Sequence, residues 1–131
     1  MADVNVGDQV PELRVTPDKY LPHRYAGASG DFNPIHIDDE FAKAVGLPRN
    51  ILHGLYSMGL VARASAQGLA GGDPRALKRL SVQFRGMGLP EQEVVVTGEI
   101  QSVDANRVVV ATEAAQGETR IIRNAEATLE L

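Results

Sequence analysis

The chain has 131 residues, a length that fits one domain, with 44 % apolar and 23 % charged residues. Its formal net charge is −4 and no Lys/Arg block occurs, which argues against nucleic acid as a partner, because phosphate recognition needs a clustered basic face. With no cysteine, disulfides, zinc-thiolate sites and a cysteine nucleophile are excluded, and a reducing compartment is the natural expectation.

The first residues, MADVNVGDQVPELRV, carry neither the basic start nor the apolar run of a signal peptide. No apolar run reaches the roughly 18–20 residues that span a bilayer, so a cytoplasmic protein is expected. Residues 4–15 read as a short extended piece around Gly7 and Pro11. Thr16 and Pro17 read as an N-cap and first-turn proline of a helix of about ten residues, carrying Tyr20, Leu21 and Tyr25 and ending at Gly27. His23 falls on its surface.

The stretch SGDFNPIH, Ser29 to His36, follows. Gly30 lets the chain turn sharply, and Pro34 fixes its own φ and pushes Asn33 toward an extended conformation. Asp31 and Asn33 can each bond turn backbone, so on turn chemistry alone Asp31 is a turn former and His36 an ordinary edge histidine. Asp38 then reads as the N-cap of DDEFAKAV, with acids in the first turn and Gly46 past its end.

GLPRNILHG is a connector into LYSMGLVARASAQGL, residues 55–69, the strongest helix. Leu55, Gly59, Ala62, Ala66 and Leu69 recur at three- and four-residue spacing, and the small residues imply close approach of another backbone. GLAGGDP is a break. Four strand candidates follow: LKRLSVQFRG, EVVVTGEIQSV, RVVVATEAA and TRIIRNAEATLEL. Val94, Val96 and Ile100 share one face of the second, and Ile121, Ala125, Ala127, Leu129 and Leu131 one face of the fourth. The links DAN and QGE are hairpin-short, so these strands pair antiparallel. One long helix against a strongly curved antiparallel sheet is an α+β arrangement, and no GxGxxG supports a dinucleotide fold.

YAGASGDFNPIHIDDEFA resembles the signature of the MaoC-like dehydratase, or (R)-specific enoyl-CoA hydratase, family. The residues that carry the likeness are Tyr25, Ser29, Gly30, Asp31, Asn33, Pro34, Ile35, His36 and Ala42. ILHGLYSMGL, residues 51–60, resembles the family's entry to its central helix. The order of elements is similar to its hot dog fold, a curved antiparallel sheet wrapped around a long central helix. Two departures stand out. Ala28 takes a place that is usually aliphatic or glycine, and Glu91 and Gln92 stand in GMGLPEQEV where a glycine and an acid are usual.

The resemblance implies a single hot dog domain over residues 1–131 that reversibly hydrates trans-2-enoyl thioesters to (R)-3-hydroxyacyl thioesters. It assigns Asp31 and His36 to holding the reacting water, and the Gly54 backbone N–H to the thioester oxygen. Asn33 would support the loop, Ser57 would line the site or pack, and His53 would shape a turn. Arg85 would either meet a carrier phosphate or be solvated. No separate cofactor and no metal is implied, since the CoA or acyl-carrier phosphopantetheine belongs to the substrate. The implied assembly is a homodimer, or a heterodimer with a related chain.

Three other readings compete with this one. Asp31, His36 and His53 have the ligand types of a metal hydrolase, but no HxxxH-like cluster supports it. A hot dog thioesterase would want a carboxylate on the central helix, and 55–69 has no Asp or Glu. A tunnel-shaping partner subunit would not need the Asp and His that this chain keeps.

Overall fold

In the computed structural model, which describes residues 4–131, the helical half comes first and the long strands last. Strand β1 spans Gln9–Val15, α1 Leu21–Ser29, α2 Pro34–Ile37, α3 Asp39–Ala44 and α4 Gly54–Leu69. After a 3₁₀ turn at Pro74–Ala76 come β2 (Leu77–Phe84), β3 (Val94–Asp104), β4 (Arg107–Gln116) and β5 (Thr119–Glu130). All pairings are antiparallel in the order β1-β3-β4-β5-β2, which leaves β1 and β2 at the edges. The extended piece expected over residues 4–15 holds a true strand at Gln9–Val15, so the described residues form a five-stranded sheet where the sequence suggested four strands after a short extended piece. Among the described residues no helix is long and apolar enough to cross a membrane.

Both hairpins turn in two residues and place the first of them at positive φ, Ala105 at 54° and Gly117 at 58°. Register shifts interrupt every ladder, for instance at Ile100/Ser102 and Thr112/Ala114. Such bulges bend strands, and here they curl the sheet around α4. In β5 Asn124 sits at φ +50°, and Ile122 as well as Ile121 is buried, so strict alternation fails there.

The core joins Leu60, Val61 and Ala64 of α4 to Val94, Val96, Ala114, Ile121, Ile122 and Ala125 of the sheet. A second cluster, Val10, Ile100, Val108, Val110, Ala127 and Leu129, closes the far end. The close backbone approach expected from the small residues of α4 occurs at Gly68. A Cβ there would stand 2.6 Å from Val10 Cγ1 and 3.2 Å from the Pro11 ring, so β1 crosses the helix only because position 68 has no side chain.

The start of α1 departs from expectation. Asp18 accepts the Tyr20 N–H through its carboxylate (2.8 Å) and the Leu21 N–H through its carbonyl (3.1 Å), a turn that keeps Thr16 and Pro17 out of the helix. Pro22, in the first turn, is the helix-starting proline. The helix runs through Gly27 and stops at Gly30, whose φ of +79° is the left-handed cap glycine favours. Asp38 does cap α3, accepting the Phe41 N–H, and Gly46 follows that helix at φ +95°.

Candidate active site

SGDFNPIH is less a loop than a relay of caps. Ser29 Oγ accepts the Asp31 N–H (3.1 Å), Asp31 Oδ1 accepts the Asn33 N–H (3.2 Å), and Asn33 Oδ1 accepts the Ile35 N–H (3.2 Å). The last of these starts α2, a four-residue helix not expected from the sequence, although Asn-Pro is an N-cap followed by the proline favoured at the first helical position. Asn33 therefore supports the loop by capping, and α2 carries His36 inward until it is buried.

Asp31 uses its two oxygens differently. Oδ1 holds the turn, while Oδ2 lies 3.8 Å from His36 Nε2. That gap exceeds a direct hydrogen bond, yet a single oxygen atom can sit within hydrogen-bond distance of both groups. The other His36 nitrogen, Nδ1, lies 2.8 Å from the Ile51 carbonyl, which can only accept. The proton of neutral His36 is thereby fixed on Nδ1, and Nε2 faces Asp31 as a free lone pair. Two acceptors thus converge on one point, with the carboxylate half exposed and the imidazole buried.

Gly54 is the first residue of α4 and is exposed, so its N–H points out of the helix N-terminus unspent on an intrahelical bond. Phe84, at the end of the edge strand β2, lies over it: a Cβ on Gly54 would meet the ring at 3.1 Å. Ser57, one turn further, is buried. Arg85 is exposed, donates to Gln83 Oε1 (3.2 Å) and joins none of the hydrogen bonds that build the Asp31–His36 pair. His23, read as a surface residue, contacts the Ile37 carbonyl at 3.0 Å and ties α1 to the end of α2.

His53 does more than shape a turn. Its Nε2 lies 3.0 Å from the Asp31 carbonyl, so Nε2 carries the proton and donates. Its ring stacks on His36 with centroids 3.9 Å apart and lies 4.7 Å from the Tyr25 ring on another side. Its Nδ1 is buried with no hydrogen-bond partner, and a proton there would have no acceptor. Burial accordingly pushes the His53 pKa down, against the weaker pull of the Asp31 carbonyl. The folded state then binds fewer protons than the unfolded chain below the ordinary histidine value of 6.5. Stability contributed by neutral His53 should be intact above that value and decline as pH falls below it. Chemical denaturation between pH 7 and 5 should show this slope, and His53→Gln should flatten it. An equal slope in the variant would mean the proton uptake lies elsewhere.

Among the described residues, Asp31, His36 and His53 form a group that could hold a metal, with one ligand atom of each within 4.8 Å of the others. His53 fits that role poorly: Nε2 is committed to the Asp31 carbonyl and Nδ1 is sealed from solvent.

The MaoC like domain family matches residues 5–121, and the chain belongs to that family. Peroxisomal enoyl-CoA hydratase 2 of Arabidopsis thaliana is 41 % identical over 86 residues, covering 66 % of this chain and 27 % of that protein. A solved MaoC-like dehydratase superposes with a TM-score of 0.92 at 32 % identity, covering 98 % of this chain and 41 % of its own. The (R)-hydratase from A. caviae involved in PHA biosynthesis superposes at 0.85 with 22 % identity over 100 % of this chain and 99 % of its own, a likeness of fold. The fold is the hot dog fold. The chain spans about a quarter of the length of the plant relative and two-fifths of that of the dehydratase.

Proposed function

We propose that this chain is a hydro-lyase that adds water reversibly across trans-2-enoyl thioesters to give (R)-3-hydroxyacyl thioesters. The observation that carries the reading is the convergence of Asp31 Oδ2 and His36 Nε2, 3.8 Å apart, within a MaoC-like domain. Likeness to an enoyl-CoA hydratase 2 and to a MaoC-like dehydratase supports it.

In this reading one water donates a hydrogen to each acceptor, which directs an oxygen lone pair at C3. As the C3–O bond forms, the C2=C3 electrons move toward the thioester carbonyl. The Gly54 N–H, aided by the α4 dipole, meets the developing oxyanion. One water proton stays with the Asp31–His36 pair, which returns a proton to C2. The net change is H at C2 and OH at C3, and the reverse sequence is dehydration. No cofactor is required, because the thioester itself makes C3 electrophilic; the CoA or carrier-protein phosphopantetheine arrives with the substrate.

The assembly proposed is a dimer, formed with a second copy or with a related chain. Support comes from the two open sheet edges and from exposed Phe32, Leu55 and Phe84 beside the site. The cytoplasm is the compartment proposed, in keeping with the absence of cysteine. The test is to incubate the purified protein with a short trans-2-enoyl-CoA and resolve the C3 configuration of the product. An (R)-product supports the reading. An (S)-product, or thioester hydrolysis in place of hydration, contradicts it.

A further inference from the structure

His36 is held by more than its own turn. Besides the Ile51 carbonyl on its ring, its backbone carbonyl accepts from Asn50 Nδ2 at 2.9 Å, and the Ile51 N–H returns to the Ile35 carbonyl at 3.0 Å. Asn50 is 4 % exposed, and its side chain both donates and accepts. Its N–H donates to Asp39 Oδ1 (3.1 Å), and its Oδ1 accepts from Arg49 Nε and a terminal guanidinium nitrogen, both at 3.3 Å. This settles the amide orientation, since a flipped amide would set NH₂ against the guanidinium and oxygen against the His36 carbonyl. Arg49 in turn donates to Glu91 Oε1 at 3.0 Å.

Glu91 is the odd member. It sits at φ +68°, a left-handed conformation that non-glycine residues rarely adopt. Its loop is pinned on several sides. Glu91 N–H donates to the Pro17 carbonyl, Leu52 N–H to the Gly88 carbonyl, and the buried Gln116 amide clasps the Leu89 and Gln92 backbone. A glycine at 91 would relax the turn but could not reach Arg49. Strained residues persist where their surroundings over-determine them, and here the strain accompanies a tether that ends on His36.

We propose that Asn50 is a positioning residue for His36 and that the Glu91–Arg49 ion pair holds Asn50 in register, so that the 88–92 loop sets the alignment of the imidazole. The catalytic meaning of this alignment rests on the hydratase reading, but the alignment itself can be observed without substrate.

Three full-length variants test it: Asn50→Ala, Glu91→Gly, and Glu91→Gln, which keeps an acceptor for Arg49. In Asn50→Ala the hydration kcat should fall about tenfold with KM within about twofold, in line with the cost of small misplacements at a reacting centre. Glu91→Gly should lower kcat several-fold while Tm stays level or rises, because the left-handed residue is relieved. Glu91→Gln should recover most of the rate. A purely structural role would lower Tm and kcat together.

In the same proteins, ¹⁵N NMR of the His36 ring should show one tautomer, protonated at Nδ1, in the wild type and a mixture in Asn50→Ala and Glu91→Gly. Identical His36 ring spectra in all proteins overturn the proposal, as does a kcat within twofold of wild type in Asn50→Ala. If Asn50→Ala does not fold, Glu91→Gly decides by the same two readouts. If the wild-type protein shows no hydration at all, the catalytic reading has failed, and the ring spectra still decide whether the tether exists.

Discussion

Asp31→Asn should lower the hydration kcat by about 10²–10⁴ while leaving the fold intact, the range expected for loss of a positioned acid–base group. The substitution is isosteric, and Asn Oδ1 can still accept the Asn33 N–H that Asp31 Oδ1 holds now. What changes is the atom that faces His36 Nε2. A carboxylate oxygen that accepts becomes an amide NH₂ that donates, so a water between them can no longer donate to both partners. Asp31 is half exposed, and the thermal transition should move little, since surface substitutions usually lie within about 0.5 kcal/mol. Steady-state kinetics alongside circular dichroism melts check both halves of this expectation. A variant that loses activity by unfolding would show it in the melt.

The second large effect is expected at Gly54. Replacing it with proline removes the N–H while asking little of the helix, because proline is favoured at the first helical position. The residue before it is already suitable: His53 has φ −65° and ψ 137°, the extended conformation that precedes proline. Loss of one oxyanion donor is typically worth about 10²–10³ in rate, and Gly54→Pro should show a loss of that order in kcat. Gly54→Ala is the control. It keeps the N–H but adds the methyl that would meet the Phe84 ring at 3.1 Å, as the proline ring does too. Alanine should retain much more activity than proline. Equal losses in the two would mean that crowding against Phe84, rather than the missing donor, sets the rate.

The long elements were legible in the sequence because their periodicity is set by burial on one side. The helix α4 and strands β3, β4 and β5 lie within a residue or two of expectation. The weaker parts fail for local reasons. In β1 only Val10 is fully buried and Pro11 interrupts the pattern, so the alternation of exposed and half-buried residues is confined to Glu12–Val15, too short a run to mark a strand. A Thr-Pro pair looks like a helix start and draws the expected onset of α1 too early, while the turn closed by Asp18 through the Tyr20 N–H depends on one side chain competing with the helix. The small helix α2 was hidden inside a motif read as a loop.

For the site, Asp31 and His36 are near neighbours in sequence, and the caps between them are local, so their convergence could be anticipated. The tautomer of His36 could not. It depends on the Ile51 carbonyl fifteen residues away, and the Asn50 bond to the His36 carbonyl is just as remote. His53 carried one local sign, its place before the glycine that opens α4. Its stacking on His36 exists only once α2 and α4 are packed together. The charge of Arg85 suggests a phosphate contact, yet its position just past β2 leaves it bonded to Gln83 and outside this group.

The central claim is that Asp31 and His36 act on the same water. A double-mutant cycle on hydration of one trans-2-enoyl-CoA, using Asp31→Asn, His36→Gln and the combined variant, tests it most directly. Groups that work as a unit are strongly non-additive, so the double variant should be about as slow as the slower single variant. Losses that multiply, so that the double variant falls by the product of the two single effects, would mean that the residues act independently, and would contradict the shared water.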